Sequence, residues 1–199
     1  MQTMNKIVLL FCFFTLLSCE KAKTEKHPKI IVLQPLGNFQ VGSANEVLEK
    51  IRKINPNVVL RKSIDFPSGS YYQPRNRFRA DSIIKNLKTK VGKDSVIVGL
   101  SHKDISTTKD NHQDWGVMGL GYHPGSACVV SDFRLSDKNK KEQFYKVVLH
   151  ELGHTEGLPH CKTKTCLMRD AEGGNPIDQE KDFCKNCSAF LKAKNWDLR

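Results

Sequence analysis

The chain lacks most of the features that mark a protein as something other than an ordinary globular domain. Its longest apolar stretch, residues 7–17, is eleven residues, whereas a helix needs about 20 to cross a bilayer core of about 30 Å. No internal repeat and no low-complexity linker is present, which excludes solenoids and beaded multidomain architectures. Acidic residues are in short supply, 21 against 32 basic, for a net charge of +11. That imbalance favours anionic partners such as a membrane surface, an acidic polymer or an acidic peptide. However, the basic residues are scattered, and no basic motif with interleaved aromatics accompanies them. Nucleic-acid binding is therefore not expected, and the charge reads as a solvated surface. With 199 residues, 39% hydrophobic and 27% charged, the chain can bury the core of one domain, or of one domain with a small lobe.

The one apolar run follows Asn5 and Lys6 and ends at Leu16-Leu17-Ser18-Cys19. A basic residue, a short apolar stretch and a small residue make a secretory signal, and the last four residues resemble the lipobox of bacterial lipoproteins. The expected organisation is a signal peptide over residues 1–18, a lipid-anchor tether over residues 19–28 that begins at an acylated Cys19, and a domain over residues 29–199. Loss of Lys6 with the signal leaves 31 basic against 21 acidic residues. This predicts an exported lipoprotein of the bacterial cell envelope, held on the membrane at Cys19.

Strand and helix signals alternate after the tether. Residues 29–33 read as a buried strand, and residues 45–54 as a helix whose Ser43 and Glu46 would form a capping box. Residues 57–64 make a second strand, residues 77–90 a second helix, and residues 95–100 a third strand. Residues 115–122 are apolar but punctuated by glycine, which suits a short edge strand. Residues 127–133 are a further strand, with Cys128 as a small buried hydrophobe. Residues 138–155 form a helix whose core stripe is Phe144, Val148 and Leu152. This order predicts an α/β fold: a mixed, mainly parallel twisted sheet with two or three packed helices over residues 29–156. A small, loop-rich, cysteine-rich C-terminal part over residues 157–199 follows.

The chemistry concentrates in that last helix and just after it. His150 and His154 lie four residues apart, about 40° around a helix, so both rings can reach one metal. Glu151 points beside that metal, where a carboxylate can take a proton from water. Gly157 lets the chain leave the helix through a left-handed turn, which returns His160 as a third ligand. Three protein ligands with an open position describe a catalytic zinc rather than a structural one. His27, His102, His112 and His123 have no such spacing and read as ordinary loop histidines. Asp104 and Asp132 follow strands and could orient ligands. Four further cysteines form two close pairs, Cys161 with Cys166 and Cys184 with Cys187. Their spacing fits a tetrahedral zinc or two disulfides equally well. Met168 lies where an apolar floor beneath the histidines would be.

The run His-Glu-x-x-His-x-x-Gly-x-x-His over residues 150–160, Cys161 directly after it, Cys166, Met168 and the Cys-x-x-Cys at residues 184–187 together resemble the signature of archaemetzincins, zinc metallopeptidases of the metzincin clan. The resemblance implies a metzincin-like fold and two Zn2+ ions. It implies a catalytic zinc on His150, His154 and His160, with Glu151 as general base, and a Met-turn at Met168. It also implies a structural zinc on Cys161, Cys166, Cys184 and Cys187, and a strand near residues 117–121 that pairs with extended substrate. Peptide or protein substrates and a monomer are expected. Two other readings use the same residues: a zinc amide hydrolase that is not a peptidase, and a surface lipoprotein that keeps zinc without turnover. Glu151 argues against the second, since a purely structural site gains nothing from that carboxylate.

Overall fold

The computed structural model describes residues 28–198; the signal peptide, Cys19 and residues 20–27 of the tether lie outside the described residues. The chain runs through β1 (Ile30–Pro35), α1 (Val41–Arg52), β2 (Val58–Leu60), β3 (Tyr71–Tyr72), β4 (Arg77–Arg79), α2 (Ala80–Lys88), β5 (Ser95–Ser101), β6 (Ile105–Lys109), β7 (His112–Val117), β8 (Gly119–Gly121), β9 (Ala127–Ser131), α3 (Lys140–Glu156) and α4 (Lys185–Lys192). A five-stranded sheet has the order β2-β1-β5-β9-β8. Its first four strands are parallel, and β8 runs antiparallel along the edge. This is the mixed, mainly parallel sheet expected from the alternating pattern.

The central strands are apolar on both faces because both faces are covered. Ile31, Leu33, Val96, Val98, Cys128 and Val130 pack into one core with α1, α3 and the C-terminal segment. Val32, Ile97 and Val129, in the alternate positions, pack into a second core with α2. Each fully buried aliphatic side chain is worth about 1.5–3 kcal/mol, so these strands anchor the sheet on which α3 lies. Residues after α3 join the first core directly: Leu158, Leu167, Met168, Ile177, Phe183, Leu191 and Trp196 all belong to it.

A second sheet, β3-β4-β6-β7, departs from the sequence expectation. Residues 77–79 are strand rather than helix, and α2 begins only at Ala80. The alternation Arg77-Phe78-Arg79 is the reason. Phe78 stacks on Phe66 at 4.0 Å, while Arg77 turns to Asp104 at 2.7 Å and Asp114 at 2.9 Å. The apolar run expected as one edge strand is divided at Met118 into β7 and β8, which belong to different sheets. The capping box also fails, because α1 begins at Val41 and no side chain caps it. Phe39 anchors the chain ahead of the helix by stacking on His102 at 4.2 Å, so Ser43 already lies within the first turn. Glu46 instead pairs with Lys141 of α3 at 2.5 Å. The C-terminal part carries a helix, α4, not anticipated in its loop-rich sequence.

The packing of α2 on the sheet depends on Gly99 of β5. A Cβ there would lie 2.8 Å from Leu87 and 3.2 Å from both Leu36 and Val129. Gly99→Val should therefore destabilise the zinc-loaded protein by about 1–3 kcal/mol through overpacking, read as a lower denaturant midpoint. An unchanged midpoint would mean that α2 does not press on this strand.

Candidate metal centre

Helix α3 ends because Gly157 adopts φ +106° and caps it in the left-handed region, as the glycine at that position predicts. The amide of Leu158 closes the turn by donating to the carbonyl of Gly153 at 2.9 Å. The chain then doubles back and brings His160 to the two histidines of the helix. Nε2 of His154 lies 3.0 Å from Nε2 of His150 and 3.2 Å from Nε2 of His160. Two backbone carbonyls fix the rings: His150 Nδ1 donates to Leu167 O at 2.6 Å, and His154 Nδ1 donates to Leu158 O at 2.8 Å. His160 Nδ1 faces Asp170 at 3.4 Å.

This arrangement decides where the protons are. Burial holds His150 down to about 3 and His154 down to about 4, with neighbouring histidines adding to the effect. Both rings are therefore neutral at pH 7, and each spends its single N–H on a carbonyl. Their Nε2 lone pairs face one another with no proton between them. A cation resolves that repulsion. Tetrahedral Zn–N bonds of about 2.1 Å place ligand nitrogens about 3.4 Å apart, close to the observed spacing. The residues fit a zinc ion.

Glu151, on the next position of the helix, is 5% exposed, and burial alone raises its carboxyl to about 8. It faces β8 across a gap that only glycine permits. A Cβ on Gly119 would fall 2.4 Å from Oε1 of Glu151, and one on Gly121 would fall 3.0 Å from Oε2. The outer edge of β8 and the metal-facing side of α3 thus enclose one cleft of about 850 Å³, which contains His150, Glu151, His154 and His160. Beneath the helix, fully buried Met168 packs on Gly153, where a Cβ would meet its sulfur at 2.4 Å.

Cys161, Cys166, Cys184 and Cys187 also converge, with all four Sγ atoms within 4.8 Å of one another. None of the described cysteines is in a disulfide. Cys161 and Cys184 are 3.7 Å apart, against about 3.8 Å for two thiolates on a tetrahedral zinc with Zn–S bonds of about 2.3 Å. Cys166 accepts from the amides of Met168 at 3.5 Å and Cys184 at 3.3 Å. Hydrogen bonding, first from the Cys187 amide, holds the Cys184 thiol down to about 7. Burial pushes Cys166 and Cys187 up. Such a cluster could hold a second, closed metal. Cys128 is buried in β9, away from it.

Some residues of the site gave no signal in the sequence. The carbonyls of Leu158 and Leu167 are main-chain groups and cannot be read from residue type. His123, an ordinary loop histidine by spacing, lies edge-on to His154 with ring centroids 6.0 Å apart and donates from Nε2 to Gly157 O at 2.8 Å. Asp104 orients no metal ligand; it clamps Arg134 on the cleft wall with bonds of 2.7 and 2.8 Å. Asp132 pairs with His102 at 2.7 Å in a separate hollow.

The family model described as Peptidase family M54 matches residues 38–193. A protein described as archaemetzincin from Nanoarchaeum equitans is 33% identical over 153 residues, covering 76% of this chain and 84% of its own length. Among solved structures, the archaemetzincin of Methanopyrus kandleri superposes with a TM-score of 0.72 at 24% identity, covering 87% of this chain and 98% of that one. The archaemetzincin of Archaeoglobus fulgidus, crystallised with malonate, gives 0.69 at 26% identity, covering 80% and 98%.

The contact between Met168 and Gly153 yields a prediction. Gly153→Ala should displace Met168 and with it the turn carrying His150 and His154. The expected outcome is at least about tenfold weaker retention of one zinc, on the scale seen when ligand-supporting residues are lost, measured by chelator competition. Unchanged retention of both metals would mean that the floor does not position the ligands.

Proposed function

The chain belongs to peptidase family M54, the archaemetzincins, and on that premise we propose that it hydrolyses peptide bonds with Glu151 as general base at a zinc held by His150, His154 and His160. The observation that carries this reading is the set of three imidazole nitrogens facing one another beside a buried carboxylate on an open cleft. When bound there, zinc supplies a Lewis acid that brings the pKa of water from 15.7 toward about 7 and polarises a carbonyl.

The remaining steps belong to side chains and backbone. Burial raises the Glu151 carboxyl to about 8 and a neighbouring cation favours its ionised form; in that form it takes the proton of the attacking water and delivers it to the leaving amine. The outer edge of β8 offers unpaired main-chain groups along the cleft, which suits an extended peptide added as a further strand. The glycines at positions 119 and 121 keep that edge against the Glu151 carboxylate. The four cysteines would hold a second zinc, which would fix the segment bearing His160. The lipobox-like Leu16-Leu17-Ser18-Cys19 supports acylation of Cys19 and a site of action at the membrane surface of the bacterial envelope.

Glu151→Gln should retain the fold and the metal content and lose about 10²–10⁴ of the cleavage rate, followed by mass spectrometry of a peptide library. Cleavage by this variant at the parent rate would remove Glu151 as the base, and a parent that cuts no peptide but cuts other amides would redirect the substrate class. Cys19→Ala should move the expressed protein out of the membrane fraction; a variant that stays with the membrane would rule out the anchor.

A further inference from the structure

The mechanism leaves one carboxylate in the cleft without a role. Glu180 follows the 3-10 turn Ile177–Gln179 and is 5% exposed. Its carboxylate makes no hydrogen bond or ion pair with any described residue. Among the described residues the unpartnered side-chain oxygens sealed from solvent are Ser106 Oγ and Asp114 Oδ1, so the carboxylate of Glu180 keeps an accessible edge. It lines the cleft together with Val147, Asn175 and Ile177. Lys146, one helical turn before His150, marks how near the reacting centre this corner lies.

The two nearby cations are committed elsewhere. Lys146 Nζ donates to the carbonyls of Ile177 at 3.2 Å and Glu180 at 2.6 Å. Arg169 Nη1 donates to Gln179 Oε1 at 2.9 Å and to Lys164 O at 3.4 Å. Both pull the Glu180 carboxyl down, yet burial outweighs them and raises it to about 7. A buried carboxylate without a partner is a costly arrangement unless something arrives to pair with it. Val147 and Ile177 supply apolar sides for a methylene stem, and Glu180 supplies an anionic end. Long basic side chains combine these two requirements.

We propose that this corner of the cleft is a specificity pocket for a lysine or arginine side chain of the peptide close to the scissile bond, with Glu180 as its anionic end. The proposal rests on the peptidase reading, and its test separates the two. Peptides identical but for Lys, norleucine or Glu at one position are scanned through the residues around the cleavage point. Cleavage is measured with the parent enzyme. Binding is measured by fluorescence anisotropy on the zinc-loaded Glu151→Gln protein. At one position the Lys peptide should exceed the norleucine peptide by about tenfold or more, as expected for a hydrogen bond to a charged group. Glu180→Gln should collapse that ratio toward one, and Glu180→Asp should retain part of it. Equal handling of Lys and norleucine by the parent at every position overturns the pocket, as does a preference that survives Glu180→Gln. Cleavage without such a preference defeats the pocket alone, whereas selective binding of the Lys peptide without cleavage by the parent supports the pocket and defeats the peptidase reading. Absence of both binding and cleavage defeats both.

Discussion

Three imidazole rings held against one another, with Nε2 of His154 3.0 Å from that of His150 and 3.2 Å from that of His160, set the terms for the rest of the molecule. The carbonyls of Leu167 and Leu158 hold Nδ1–H of His150 and His154, and burial keeps both rings neutral. His150 and His154 therefore turn bare Nε2 lone pairs toward one another, a repulsion that a metal ion between them relieves. Everything around it serves to keep that arrangement from collapsing. The sheet fixes α3, Met168 supports the helix at Gly153, and the left-handed Gly157 returns the third ring.

The third ring is the least buried of the three, and its support comes from the C-terminal segment. Cys161 follows His160 directly, and its amide donates to Met168 O at 2.7 Å. The Met168 amide in turn donates to the sulfur of Cys166. The thiol cluster, the apolar floor and the third histidine are consequently one mechanical unit. A metal on the cysteines would stiffen the segment carrying His160, and losing it would free that ring first. A single peptide bond, between His160 and Cys161, joins the histidine cluster to the cysteine cluster.

The parts legible in the sequence were those with a local signature. Strands β1, β5 and β9 appeared as unbroken apolar runs because both of their faces are buried. The four-residue spacing of His150 and His154 fixes their relation through helix geometry, Gly157 marks the turn that returns His160, and the two close cysteine pairs mark a cluster that spacing alone leaves as a metal site or two disulfides. The second sheet was not legible. It is held by Arg77, Arg134, Asp104 and Asp114, whose partners lie about thirty or more residues apart in sequence. Helix α4 was hidden because its cysteines and lysines leave only Leu191, besides Cys187, as a buried position. The carbonyls that orient the histidines, and the unpaired state of Glu180, arise from tertiary placement and have no residue-type signal.

The decisive measurement is zinc content together with a free-thiol count on the purified mature protein. Two zinc ions per chain, with Cys161, Cys166, Cys184 and Cys187 all titrating as thiols after denaturation in chelator, is the result expected of two metal sites joined at His160 and Cys161. One zinc per chain with those four cysteines oxidised would contradict it, and would mean that disulfides rather than a metal hold the third histidine in place.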